Sequence, residues 1–333
     1  MATLHFEAFF PFITTLISLL FFLSVTEQYF RKRKPHQLVW AISMLLFTIT
    51  AGFEGLSLLL GYWDPLIYRL YYILAAVQVA IMGAGALYLF ASRNIINEQN
   101  SGKALILFGA VWTLFAFIFQ FRAPIFLWIL LPALLITLGG ALYWLQIRFR
   151  DPEKAFKISG MIFSHIFILF TSYIFIFMTI AALQAALDVE YLINSGGQEV
   201  AGHGWVNDLP GLRATIRLFS PLNTVPGSIA LIGGAFYSYF TWQWAIRKQT
   251  GEFNIKKGVF NIYIGVGALA LSVAGTLSGF GFGVLYLGEA VSVALMYFGF
   301  LESDKITMKS LLNILTLGWL RHPKSQEMPL EAV

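Results

Sequence analysis

Four ionisable side chains stand inside sequence that is otherwise lipid-soluble: Glu54 and Arg69 in GFEGLSLLLGYWDPLIYRLYY, His165 in MIFSHIFILFTSY and Glu289 in VLYLGEAVSV. A charge at the centre of a bilayer costs at least about 2.5–3.5 kcal/mol, so such residues face a protein interior, pair with one another, or carry protons or ions. Glu54 lies about seven residues from the outer end of its apolar run, on the order of 10 Å deep at 1.5 Å per residue. Glu289 lies at a similar depth in the last run. Arg69 opens the run after Glu54, and the intervening YWDP turn makes the two runs neighbours. Arg69 is therefore expected to reach inward and neutralise Glu54, either as an ion pair that only locates two helices or as part of a working polar site. Its long side chain can also snorkel outward. Glu289 has no partner in its own hairpin, and a lone carboxyl in low dielectric is suited to exchange a proton.

Helical spacing adds neighbours to these groups. Tyr286 and Ser292 lie three residues either side of Glu289, Thr50 and Ser57 flank Glu54, and Tyr72 follows Arg69 by three, so each set lines one helical face. The binding or ion-path candidates are thus Glu54, Arg69, Glu289, Tyr72, Tyr286 and His165. His165 is the single histidine within an apolar run, and its type allows a proton relay, a haem ligand or a hydrogen-bonded packing residue.

The same census excludes several chemistries. Every lysine falls in a loop or tail, so no Schiff-base pigment can be held within a span, and His165 has no intramembrane histidine to complete a bis-histidine haem. No cofactor is expected. The 0 cysteines remove disulfides, iron–sulfur clusters and a cysteine nucleophile. His203, near Glu199 and Asp208 in EVAGHGWVND, has poor metal spacing, and no metal is expected. There is no phosphate loop, nucleophile motif or zinc signature.

The elements that must position these residues are membrane spans. Hydrophobic residues make up 58% of the chain and charged residues 12%, against roughly 25% charged in soluble domains. Nine runs approach the roughly 20 apolar residues a crossing helix needs, at about 6–30, 38–61, 66–92, 104–121, 125–147, 158–186, 224–246, 258–280 and 282–301. The first lacks a basic n-region and a small-residue cleavage site, and reads as a retained span. The net charge of +5 comes from clusters such as RKRKPH, RFRDPEKAFK and RKQTGEFNIKK, which fall in alternate loops. That asymmetry is an orientation signal, not a nucleic-acid surface: it puts the N-terminus outside and the C-terminus in the cytoplasm. The expected setting is a cell membrane, a prokaryotic plasma membrane.

The fold class expected is all-α and polytopic, about nine transmembrane helices arranged as one helix plus four helical hairpins. Residues 1–301 form one transmembrane domain, and 302–333 a cytoplasmic tail with a short amphipathic segment. GAGALYLFASR, LGGALYWLQIR and IGGAFYSYFTWQWAIRK place small residues before Tyr88, Tyr143 and Tyr237. They read as a faint duplication, or as small residues that pack helices and tyrosines that anchor interfaces. In the long external loop, 187–223, DLPGLRATIRLFSP sets Leu212, Ile216 and Phe219 on one face and Arg213 and Arg217 on another. A short interfacial helix is expected there, or a lid over an outer cavity with Arg213 and Arg217 as its charged residues.

Three function classes remain: a small secondary transporter or channel with a polar site in the outer half; a non-catalytic sensor or subunit of a larger membrane complex; and a membrane enzyme acting on a lipid or quinone. Partners expected are membrane lipids, a small-molecule or ion substrate, and either a second copy or another membrane protein. Nucleic acid is not among them.

Overall fold

The structure, a computed structural model, describes residues 9–93, 96, 100–120, 125–149, 160–198, 202–206, 215–254, 258–279 and 284–304. Within them the chain runs α1 (Phe9–Lys32), α2 (Pro35–Leu60), α3 (Pro65–Ser92), α4 (Ser101–Gln120), α5 (Ile125–Phe149), α6 (Gly160–Gln184), α7 (Val189–Asn194), α8 (Thr215–Ser228), a π turn (Ile229–Gly233), α9 (Gly234–Thr250), α10 (Val259–Gly279) and α11 (Leu285–Asp304). By length and composition seven of these, α1, α2, α3, α5, α6, α10 and α11, are suited to cross a membrane. The other two apolar runs are helical too, as α4 and as the path through α8, the π turn and α9.

Local chemistry explains the boundaries. Pro35 and Pro65 open α2 and α3 at positions where an N–H would be unsatisfied anyway. The Asp64 carboxylate accepts from the N–H groups of Leu66 at 2.8 Å and Ile67 at 3.1 Å, which ties the α2–α3 turn to the start of α3. Gly61 ends α2 at φ 75°, donating its N–H to the Ser57 carbonyl at 2.9 Å.

α3 is the axis of the bundle, with 72% of its apolar window buried. On one side it shares a core with α1, α2 and α11, built from Phe21, Val25, Met44, Phe47, Met82, Val293 and Met296. On the other it packs on α6 and α8, in a core that α4 also joins, built from Phe108, Trp112, Phe167, Ile174, Met178 and Phe219. Small residues permit these approaches: a Cβ on Gly83 would stand 2.4 Å from the Gly227 carbonyl oxygen, so α3 and α8 cross backbone to backbone. Pro226, with no N–H to donate, and Gly227 immediately precede Ser228 and the π turn.

The external loop departs from expectation. In its second half the described residues Thr215 to Phe219 form the first turns of α8, and Ile216, Phe219 and Leu222 are buried in the larger core. Burial of that apolar face by α3 and α6 replaces the interface it was expected to lie in. Residues 207–214, with Arg213, lie outside the described residues, as does the amphipathic tail segment. Arg217 sits against Gly202, where a Cβ would meet its side chain at 3.4 Å. The first half of the loop folds as a cap. Asp188 caps α7, Leu187 bridges antiparallel to Trp205, and the N–H groups of Asp188 and Val206 donate to Gly204 at 2.9 Å and Ala186 at 3.1 Å. The Trp63 N–H donates to Leu192 at 3.0 Å and the Gly204 N–H to the Tyr68 hydroxyl at 3.1 Å, which holds the cap on the α2–α3 turn.

Gly197 seats this cap on the end of α2. Its φ is 80°, and a Cβ there would lie 2.1 Å from the Ser57 carbonyl oxygen. Gly197→Ala is expected to destabilise the cap by at least the roughly 1–2 kcal/mol of a left-handed non-glycine residue. Limited proteolysis of purified protein should then nick the chain near residue 197 faster than in wild type. An unchanged rate would mean that the cap does not rest on Ser57.

The faint repeat has no common environment. Tyr88 and Tyr143 are buried, whereas Tyr237 is 52% exposed.

Candidate functional site

Glu54 sits on the face of α2 that carries His36, Ser43, Thr50 and Ser57, all buried. Their spacings of seven, seven, four and three residues keep them on one stripe. α11 descends from the same end of the bundle and brings Glu289 onto this stripe, four residues after its first residue, Leu285. The two carboxyls, 1% and 7% exposed, come close enough to interact directly, and Tyr71 of α3 reaches Glu54. Two carboxylates have no donor between them. Glu54 Oε2 and Glu289 Oε2 have no hydrogen-bond partner among the described residues, and a proton held between the carboxyls would supply one.

Around the pair the walls are mostly apolar. Phe12 of α1 lies 3.1 Å from where a Cβ on Gly55 would be, and Phe10, Leu58, Leu285 and Tyr286 form a small cluster beside it. Ser57 stands one turn towards the cap and Ser292 one turn deeper, with exposures of 2% and 0%. Neither hydroxyl has a hydrogen-bond partner among the described residues. One turn below Glu54, the Thr50 hydroxyl donates to the Gln78 side-chain oxygen at 3.2 Å, and the Ser43 hydroxyl donates to the Gln78 carbonyl at 2.7 Å. Gln78 thereby ties the polar stripe of α2 to α3.

Arg69 is not part of this pair. Its guanidinium donates to the Ala182 carbonyl at the end of α6 and lies 5.4 Å from the Trp205 ring centre. Among the described residues no ion pair reaches Glu54 or Glu289. The expected Glu54–Arg69 pair is thus replaced: the Ala182 carbonyl at the end of α6 and the aromatic face of the cap take the cation. Tyr72 faces the cap as well, edge-on to Trp205 at 5.4 Å. Above the carboxyl pair, Trp63, Tyr68, Tyr71 and Trp205 form a continuous aromatic roof with ring centres 4.9–6.4 Å apart.

His165 lies at the other end of the bundle. Its Nδ1 is 2.6 Å from the Met161 carbonyl and its ring meets Tyr88 edge-on at 5.3 Å. Tyr71 and Tyr88 are separated by about 25 Å along α3 at 1.5 Å per residue, so His165 and the carboxyl pair do not share a site. His203 stacks at 6.1 Å on Tyr191 in the cap, and no metal-ligating cluster forms among the described residues.

Tyr71 and Gln78 are the members of the site that the sequence reading passes over. Both signals were present in retrospect: Gln78 is the one amide within α3, and Tyr71 lies seven residues before it on the same face. What sequence does not show is which face of α3 meets α2.

Fold and site together define an all-α, multi-pass membrane protein whose buried polar centre is a carboxyl pair joining α2 and α11. Comparison with protein-family models, with curated proteins and with solved structures finds no match.

Proposed function

We propose that this protein is a small secondary transporter or channel in which the Glu54–Glu289 pair exchanges protons with the outer side. The observation that carries the reading is the meeting of two buried carboxyls with no ion-pair partner among the described residues. A structural pin between α2 and α11 needs no ionisable group: an amide pair or apolar contact would hold the helices without the several-kcal/mol cost of desolvating a charge. A shared proton makes the pair tolerable in hydrocarbon, and its release and recapture is work that two carboxyls can do. The aromatic roof and the cap separate the pair from the outer solution, so access is controlled by Trp205 of the cap and Tyr71. Arg69, held between the α6 terminus and Trp205, positions that cap.

The reading is tested in vesicles loaded with a pH-sensitive dye, with the membrane potential clamped. Wild-type protein should dissipate an imposed pH gradient faster than protein-free vesicles. Glu54→Gln and Glu289→Gln, isosteric and able to keep one hydrogen bond, should fold normally yet reduce that rate by tenfold or more. A wild-type rate equal to that of protein-free vesicles, or full activity in both variants, would contradict the reading.

The orientation proposed puts the N-terminus and the cap outside, with the basic α1–α2 and α9–α10 connections in the cytoplasm of a cell bounded by this membrane. Because the chain contains 0 cysteines, single probes are unambiguous. An impermeant thiol reagent added to whole cells should label Glu190→Cys, in exposed α7, and spare Glu252→Cys, exposed after α9. The reverse pattern would invert the topology.

A further inference from the structure

We infer that the turn between α1 and α2 binds one anionic phospholipid, with its phosphate on Arg33 and Lys34 and an acyl chain along Leu38, Ile42 and Leu45 of α2. The inference does not rest on the proton-exchange reading, since this turn lies at the opposite end of α2 from the carboxyl pair.

Arg33 sets the turn apart. Among the described residues it is the one non-glycine with a positive φ, 52°, and its N–H closes α1 by donating to the Tyr29 carbonyl at 2.7 Å. Glycine is the usual residue at a left-handed helix end, so an arginine there accepts backbone strain that a chain reversal alone does not require. Its side chain folds back along α1. The guanidinium lies 4.9 Å from the centre of the Phe30 ring and 5.6 Å from that of Tyr29. Phe30 is 47% exposed, so the cation is held against an apolar outer surface. A cation–π contact of this kind leaves guanidinium N–H groups for bidentate contacts with phosphate oxygens.

The charge around Arg33 calls for an anion. Residues 31–34 read Arg-Lys-Arg-Lys, and Glu27, one turn earlier on α1, lies 3.7 Å from Arg31. Among the described residues no carboxylate forms an ion pair with Arg33 or Lys34, Glu302 on the neighbouring α11 included. Arg93, which closes α3, adds positive charge at this end: Lys34 and Arg93 both act on the buried His36, while the Arg93 Nη1 donates to Ser238 at 3.4 Å. A zwitterionic head group carries its own cation, which these basic residues repel. An anionic head group such as that of phosphatidylglycerol does not.

Below the charges the surface of α2 is apolar. Lys34, Leu38, Ile42 and Leu45 follow at spacings of four, four and three residues, and all are exposed, so they form one outward stripe. From Lys34 to Leu45 it runs about 16 Å at 1.5 Å per residue, the depth of one leaflet of a bilayer whose hydrocarbon core is about 30 Å thick. Cations at the head of a leaflet-deep apolar track fit a phospholipid. A soluble phosphate would use the head of the track alone.

Native mass spectrometry of full-length protein in detergent counts individual bound lipids. Offered equal amounts of phosphatidylglycerol and phosphatidylcholine with the same acyl chains, wild type should retain phosphatidylglycerol first, by tenfold or more. Arg33→Ala should bring that preference to within twofold. Arg33→Lys, which keeps the charge but gives up the bidentate fork, should lower it at least threefold. Lys248→Gln, a loss of charge at the end of α9, should leave it unchanged. Both positions are exposed, and thermal unfolding in lipid-free detergent checks that the variants are folded. Equal retention of the two lipids would overturn the site and leave an unselective lipid boundary. An effect of Lys248→Gln as large as that of Arg33→Ala, or full preference in Arg33→Lys, would overturn it in favour of diffuse surface charge. Glycerol phosphate in excess should displace no lipid; displacement would mean a soluble-anion site instead. Proton flux enters none of these readouts, so its absence would leave the lipid site standing, and loss of the lipid preference would leave the proton-exchange reading standing.

Discussion

Gly83→Leu is expected to abolish correct folding, with almost no protein recovered in a monodisperse, detergent-stable form. The Cβ alone would lie 2.4 Å from the carbonyl oxygen and 2.6 Å from the Cα of Gly227, and both of those atoms are backbone. A flexible side chain could give way; a helix axis cannot do so without moving everything attached to it. The reciprocal contact is equally tight, since a Cβ on Gly227 would meet the Val79 carbonyl at 2.4 Å. Overpacking in a well-ordered core costs typically 1–3 kcal/mol and occasionally more, and a leucine forced between two backbones belongs at the top of that range or above it. Separating α3 from α8 would also open the larger core, because Phe219 and Leu222 of α8 are wholly buried there. Size-exclusion profiles of Gly83→Ala and Gly83→Leu check this, with the loss increasing from alanine to leucine. Normal recovery of Gly83→Leu would show that α3 and α8 do not cross there.

Trp205→Ala should release the cap while leaving the helices assembled. Trp205 is 2% exposed, meets Tyr68 at 5.7 Å and Tyr72 at 5.4 Å, and carries the Arg69 guanidinium over its ring. Truncating a buried tryptophan to alanine costs about 3–5 kcal/mol. Here that loss is confined to a segment held by a few hydrogen bonds, so local opening precedes global unfolding. The helix content of Trp205→Ala should match wild type, while hydrogen exchange across 186–206 accelerates by two orders of magnitude or more. Water then gains access to the pair, and proton exchange at the carboxyls should quicken. Unchanged exchange in the cap would mean that Trp205 is not what holds it down.

The helical plan was legible because hydrocarbon demands long apolar runs, and every run found by hydropathy carries a helix among the described residues. Where the pattern failed, local composition was misleading. The segment before residue 224 read as a surface helix separate from the span, but α8 runs through Pro221 and Pro226 because its first turns are buried against α3 and α6. The site was legible in part. Depth along a helix follows from residue count, so Glu54 and Glu289 could be placed at one level from sequence alone. Their meeting could not, because it depends on α11 returning beside α1 and α2, a long-range packing choice without a local signal. Arg69 shows the same limit from the other direction. Adjacency in sequence favours Glu54 as its partner, yet Ala182 and Trp205, far along the chain, provide a carbonyl and an aromatic face in the direction its side chain takes.

The carboxyl pair remains the centre of the account, and its proton can be observed directly. Infrared difference spectroscopy of the purified protein, recorded in water and in deuterium oxide, reads protonated carboxyl groups through their carbonyl stretch. At neutral pH wild type should show such a band, shifted by deuterium, and both Glu54→Gln and Glu289→Gln should lose or displace it. Tyr71→Phe, which removes the hydroxyl that meets Glu54, should move the band without abolishing it. A wild-type spectrum with no protonated carboxyl, or a band untouched by both glutamine variants, would contradict a proton shared between α2 and α11.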